Sequence, residues 1–246
     1  MTRIFYLAYA AVAYLIFLAV FLYLIAFVGN IAPAPVTVDR GPDAPLWTAV
    51  AVNVALIALF GFQHSVMARP AFKAGWEHIV PKAVERSTYV LIASLTLALL
   101  FVAWHPIPAP VWSVEYPAAA ALLWTLFGLG WAIVLLSTFL LNHFELFGLQ
   151  QVWFAWRDRA AAKAELRQPL FYRFVRHPLY AGFFLAFWAT PQMSAGHLLL
   201  AAGMSIYMLI AIRLEERNLV DAFGADYLAY RARTPMLVPG LRGKAD

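Results

Sequence analysis

The chain has 246 residues, of which 63% are hydrophobic and 13% charged. Soluble domains are roughly half apolar and a quarter charged, so a water-exposed globule is excluded and a lipid-embedded bundle is expected. The net charge of +5 is distributed between apolar runs, as topology charges are, and forms no nucleic-acid signal; the absence of cysteine excludes disulfides, thiolate metal sites and cysteine nucleophiles.

Four apolar runs come first: Ile4 to Val28, Leu46 to Val66, Thr88 to Trp104 and Ala118 to Leu141. Each approaches or exceeds the ~20 residues that cross a ~30 Å hydrocarbon core as a helix. The first run is longer than the roughly 7–15 apolar residues of a signal-peptide core, so it reads as a retained span. A fifth apolar block, Leu179 to Ile212, is too long for one crossing and is broken at Thr190 to Gly196 by Pro191 and Gly196. It reads as a helical hairpin, with a short arm over Leu179 to Ala189 and a longer one over Ala195 to Ile212. The expected fold is therefore an all-α integral membrane bundle of five to six transmembrane helices with a cytoplasmic C-terminal segment. One membrane-embedded domain spans residues 1–246, with a four-helix part over 1–141 and a C-terminal part over 142–246.

Orientation follows from lysine and arginine. With Arg3 inside, the loops Gly29 to Pro45 and His105 to Pro117 lie outside, and only Arg40 falls there. The loops Met67 to Ser87 and Asn142 to His177 lie inside and carry Arg69, Lys73, Lys82, Arg86, Arg157, Arg159, Lys163, Arg167, Arg173 and Arg176. The tail, with Arg213, Arg217, Arg231, Arg233, Arg242 and Lys244, also lies inside. Both termini are thus expected in the cytoplasm. The aromatic stretch Phe144 to Trp156 is placed at the membrane interface, where amphipathic rings are favoured.

Three polar clusters end spans on the basic side: Gln63-His64-Ser65, Asn142-His143-Phe144-Glu145, and a pair of segments flanking the hairpin. Arg213, Glu216 and Arg217 share one helical face by their i, i+3, i+4 spacing. They suit either a salt-bridged helix end or a site, since ionisable groups at membrane depth are costly and mark function. A hairpin returns them beside Arg176-His177. Pro178 suits the first turn of a helix, Gly182 permits close backbone approach, and a carboxylate facing aromatic rings suits a cationic ligand. His64 and His143 each leave three readings open: a polar anchor, a general base, or half of a bis-histidine metal or haem site. No P-loop, H-E-x-x-H or G-x-S-x-G motif occurs, and Gly128-Leu129-Gly130 lies inside a span, so a Rossmann cofactor site is not expected.

Arg176-His177-Pro178-Leu179-Tyr180-Ala181-Gly182, followed by Glu215-Glu216, Phe223-Gly224, Tyr227 to Tyr230 and Thr234 to Pro239, resembles the C-terminal region of the isoprenylcysteine carboxyl methyltransferase superfamily. Gln63 to Pro70, Asn142 to Leu149 and Phe187 to Pro191 extend the likeness over most of the chain and are similar to the bacterial methanethiol S-methyltransferases. Haem-binding NnrU-like and carotene-isomerase proteins share part of the pattern and stand as the alternative, beside isoprenylcysteine carboxyl methylation itself. The resemblance implies an S-adenosylmethionine-dependent methyltransferase of the bacterial inner membrane, with its site on the cytoplasmic side and a small thiol as acceptor. It implies that His177, Tyr180 and Gly182 border the cofactor, that Glu216 faces its charged end, and that Tyr227 and Tyr230 close the pocket. Arg176, Leu179 and Glu215, within the same motif, complete that set. Chemistry, rather than the motif, assigns His143, His64 and Arg217 to the acceptor: a thiol reacts as its thiolate, which a base or a cation favours. The lipid bilayer is the other partner; no metal, nucleic acid or protein partner is implied.

Overall fold

The apolar runs form helices whose ends are set by proline and by left-handed residues. In the computed structural model, which describes residues 2–159 and 166–240, α1 covers Thr2–Val28, α2 Leu46–Met67, α3 Pro70–Trp76 and α4 Lys82–Ala103. Strand β1 (Pro110–Ser113) follows, then α5 (Pro117–Leu141), the short α6 (His143–Leu146) and α7 (Leu149–Trp156). After a 3-10 turn at Leu170–Arg173 come α8 (Pro178–Trp188), strand β2 (Gln192–Ser194), α9 (Ala195–Phe223) and α10 (Ala225–Arg233). Pro70, Pro117 and Pro178 each open a helix, where the missing N–H is no loss. Asn142, at φ 117°, ends α5.

Among the described residues, five helices, α1, α2, α4, α5 and α9, are long and apolar enough to cross a bilayer. The hairpin is present: α8 and α9 are separated by Ala189 to Ser194. The 11 residues of α8 rise only about 16 Å, half of a ~30 Å core, so this arm cannot cross alone as a straight helix. Two helices run further than their apolar runs. α4 begins at Lys82, taking Glu85 and Arg86 out of the expected loop, with Glu85 in the first turn where a carboxylate suits the helix dipole. α9 continues eleven residues past Ile212 and carries Arg213 to Arg217 as helix. Of the residues used for orientation, Lys163, Arg242 and Lys244 lie outside the described residues.

The chain forms two compact units, each assembled from separated stretches. The first comprises residues 1–112, 143–162 and 193–203. Here α4 packs between α1 and α2, and α7 packs on α1 and α4. α1 buries small Ala10 and Ala13 and exposes Ile4, Val12, Leu15 and Leu22. Its C-terminal half buries Leu24, Phe27 and Val28, and the large apolar side chains left on its outer face suit contact with lipid rather than water. α7 places Val152 against Ala10 and Val84 and leaves Trp153 and Trp156 exposed, consistent with an interfacial position. Gly148, at φ 88°, admits no side chain: a Cβ there would lie 2.5 Å from Ser87 Oγ and 2.6 Å from Ser87 N.

The second unit comprises residues 113–142, 163–192 and 204–246. α5 and α8 meet along a glycine seam. A Cβ on Gly182 would lie 2.7 Å from Gly130 O, and one on Gly130 would lie 2.7 Å from Ala186 N. Trp131 sets its ring edge-on to Phe183 and Phe187 at 5.7 and 6.0 Å beside that seam. Trp188 Nε1 donates to Ser205 Oγ at 3.0 Å, tying α8 to α9.

Candidate active site

In the second unit, Pro178 starts α8 and leaves His177 just before it, with its side chain making no capping bond. The imidazole instead reaches α9: His177 Nε2 lies 3.0 Å from Glu216 Oε1. Arg176 Nε donates to the same oxygen at 2.7 Å, and the Arg176 and Glu216 side chains are only 11% and 12% exposed. Arg176 Nη1 donates to the carbonyls of Arg231 and Thr234 at 3.2 and 2.5 Å. The backbone N–H groups of Arg176 and His177 donate to Pro235 O and Met236 O. One guanidinium therefore ties together the start of α8, the end of α9 and the segment after α10. Charge-assisted bonds of this kind are the strong ones.

Glu215 points elsewhere, and its Oε2 accepts from the Tyr180 hydroxyl at 3.0 Å. Tyr227 and Tyr230 are buried on α10, with ring centroids 5.9 Å apart. Tyr230 donates to Tyr172 O at 2.6 Å. The Tyr227 hydroxyl lies by Glu216 without a well-formed hydrogen bond. Burial first, then the negative charge of Glu216, raises Tyr227 above the usual tyrosine range. Burial pushes Tyr230 up to about 12, and burial followed by Glu215 raises Tyr172. All three stay protonated at neutral pH and keep their hydroxyl donors. Leu179 is half-buried. The close approach that Gly182 permits is to α5. Arg213 and Arg217 are exposed and form no ion pair with Glu216, so of the two readings of their spacing the salt-bridged helix end is not realised, and Glu216 pairs with the distant Arg176.

The two candidate histidines belong to the first unit, around one aromatic cluster of Met67, Tyr89, Val90 and Phe147. His143 is buried, its Nε2 lies 2.8 Å from the Tyr14 hydroxyl, and its ring packs edge-on against Phe147 at 4.8 Å. Burial lowers its pKa below the ordinary histidine value. His64 stacks on Phe60 at 5.3 Å and lies 5.1 Å from the Tyr89 ring. Arg86, whose Nε donates to Leu146 O at 2.7 Å, stacks over Tyr89. Among the described residues, no three or more His, Cys, Asp or Glu side chains converge as a metal site.

Against known proteins, the chain is 51% identical to methanethiol S-methyltransferase of Mycobacterium tuberculosis over 239 residues, 97% of this chain and 98% of that protein. The chain belongs to the methanethiol S-methyltransferase family. The enzyme of that name from Crocosphaera subtropica is 45% identical over 245 residues, 100% of this chain and 96% of that protein. More distantly, the Nurim homolog of Drosophila pseudoobscura pseudoobscura is 33% identical over 167 residues, 65% of each chain. No model of a protein family and no solved structure matches the chain.

In this membrane methyltransferase, sequence reasoning missed Tyr14 and gave Tyr172, at the edge of the segment before the hairpin, no role. Tyr14 lies 129 positions from His143 in an apolar run, where one tyrosine among many carries no signal. Tyr172 precedes the motif by four positions, and only the fold closes Tyr230 onto its carbonyl. Arg86 was read as a topology charge, and nothing in its local sequence announces the contact with Leu146.

Proposed function

We propose that this chain methylates methanethiol to dimethyl sulfide, with S-adenosylmethionine as the methyl donor, at the cytoplasmic face of a bacterial inner membrane. The observation that carries the reading is the joining of Arg176, His177 and Glu216 across the hairpin in a chain of this family. The groups gathered there fit an onium donor, because Glu215 forms no ion pair among the described residues and tyrosine side chains lie beside it. Arg176, His177, Leu179, Tyr180, Gly182, Glu215, Glu216, Tyr227 and Tyr230 are the residues proposed to hold or frame the donor. When bound, S-adenosylmethionine supplies a methyl group activated on a positively charged sulfur, which passes to the acceptor sulfur as the thiol proton departs.

The remaining work is positioning and deprotonation. Holding reacting atoms about 3–3.5 Å apart contributes many orders of magnitude to rate. A simple alkyl thiol, like cysteine with its pKa near 8.5, is mostly protonated at neutral pH. His143 and His64 are proposed to take that proton, and Arg217 to stabilise the thiolate. The lowered pKa of His143 keeps its imidazole neutral and able to accept a proton. A small apolar thiol enters readily from lipid, whereas the charged, water-soluble donor arrives from the cytoplasm, the side on which the basic residues are proposed to lie.

The test mixes purified chain, S-adenosylmethionine and a panel of thiols and follows volatile thioethers by gas chromatography. Dimethyl sulfide from methanethiol, dependent on the donor, is expected. Formation of no thioether from any thiol would remove the proposal.

A further inference from the structure

In the first unit, Arg86 on α4 is half-buried and held in one orientation. Its Nε donates to Leu146 O at 2.7 Å, and Leu146 ends the short helix that His143 begins. Its guanidinium carbon lies 4.8 Å from the centre of the Tyr89 ring, and the His64 ring lies 5.1 Å from Tyr89 on α4 as well. The charge of Arg86 reaches that imidazole. One bond and one ring therefore fix the guanidinium against the elements that carry both candidate histidines. Its two terminal amino groups meet no acceptor among the described residues, and no carboxylate there lies within ion-pair distance. The neighbouring Glu85 is buried, and its field, with that of Glu77, falls on Lys73, a second half-buried cation that also feels Arg86. An oriented, half-buried guanidinium with N–H donors to spare and another cation in range is a receptor for a small anion. Arg217, by contrast, is exposed in the second unit, where water and salt screen its charge.

We propose that Arg86 binds the acceptor sulfur as its thiolate, as a second cation for that purpose beside Arg217. This rests on the reading of the chain as a methanethiol methyltransferase. The S–H bond breaks, its proton passes to an imidazole, and the electron pair stays on sulfur as the charge that Arg86 meets. Sulfur then bonds the methyl carbon while the carbon–sulfur bond of the donor breaks, and the charge is gone. A cation lowers the nucleophilicity of a thiolate as well as its basicity, so the two effects must be weighed. With a Brønsted coefficient of about 0.4–0.5, each pKa unit removed costs roughly threefold in intrinsic reactivity and gains about tenfold in thiolate, until the pKa nears the ambient pH. For a thiol that is mostly protonated at neutral pH, the gain wins.

Kinetics on the full chain in detergent, with thiocyanate as a small anion charged at any neutral pH, test the proposal. On the parent chain, thiocyanate should compete with methanethiol and not with S-adenosylmethionine. No inhibition, or competition with the donor alone, overturns the proposal without any variant. For Arg86→Gln, kcat/KM for methanethiol should fall on the order of tenfold or more, as for a lost charge-assisted hydrogen bond. Thiocyanate inhibition should weaken by a similar factor, while calorimetry shows unchanged affinity for S-adenosylmethionine. A fall in kcat/KM with thiocyanate inhibition intact would reduce Arg86 to a tether for Leu146 and overturn the proposal. So would a variant altered only in its response to anionic phospholipid, which would give the guanidinium to a lipid phosphate. If the parent methylates no thiol at all, the reading of the function falls first, and this proposal with it.

Discussion

Glu216 lies 40 positions from Arg176, yet the contact between them organises the motif-bearing ends of the chain. The local alternative was Arg213, one turn away, which stays exposed. A buried guanidinium needs several acceptors at once, and Arg176 finds them on Glu216, Arg231 and Thr234. The identities of the two glutamates were legible in the sequence; which of them faces Arg176 was not, because that depends on the rotation of α9. The surroundings of His143 were equally hidden. Its pKa is lowered by burial, so the folded state resists protonation more than the unfolded chain does. The stability tied to neutral His143 is complete above the ordinary value near 6.5 and is lost as pH falls toward and through the lowered folded value. Thermal unfolding across a pH series should therefore show a decline on the acid side that is smaller in His143→Gln. An identical decline in both would assign the titration to another group. Turnover of His143→Gln should drop at neutral pH if this imidazole takes the thiol proton.

Between elements, the seam joining α5 and α8 depends on two glycines. Gly128 and Gly130 both lie on α5, but their surroundings differ. A Cβ on Gly128 would meet nothing within 4 Å, whereas one on Gly130 would meet backbone atoms of α8 at 2.7 and 2.8 Å. Backbone cannot yield as a flexible side chain does, so Gly130→Ala and Gly182→Ala should each cost about 1–3 kcal/mol, as overpacking does. Gly128→Ala should be neutral or slightly stabilising. Thermal unfolding in detergent separates the two cases, and equal effects at 128 and 130 would contradict the seam. The G-x-G spacing was visible in the sequence as a weak motif. Only the packing shows that one of its glycines is needed and that Gly182, within the resembling motif, meets it. The short hairpin arm and the spans α1, α2 and α5, by contrast, were readable to within a few residues, because lipid demands long uninterrupted apolar helices, whereas the polar extensions of α4 and α9 were not.

At the scale of the whole chain, the distribution of lysine and arginine predicts that both termini and the 67–87 and 142–177 loops face the cytoplasm. Reporter fusions check this: a reporter active only outside should respond in the 29–45 and 105–117 loops and remain silent at the C-terminus. A signal from the C-terminus would reverse the proposed face of the site. Composition, run length and charge placement determined the membrane class, the helical fold and the hairpin, because each follows from the cost of exposing polar backbone to hydrocarbon and is written residue by residue. The division into two units, each drawn from separated stretches, and the pairings of Arg176 with Glu216, Tyr180 with Glu215 and Tyr14 with His143 were decided by tertiary structure alone. Partner choice depends on how helices rotate and pack against one another, and a single apolar run, greasy on every face, carries no record of that rotation.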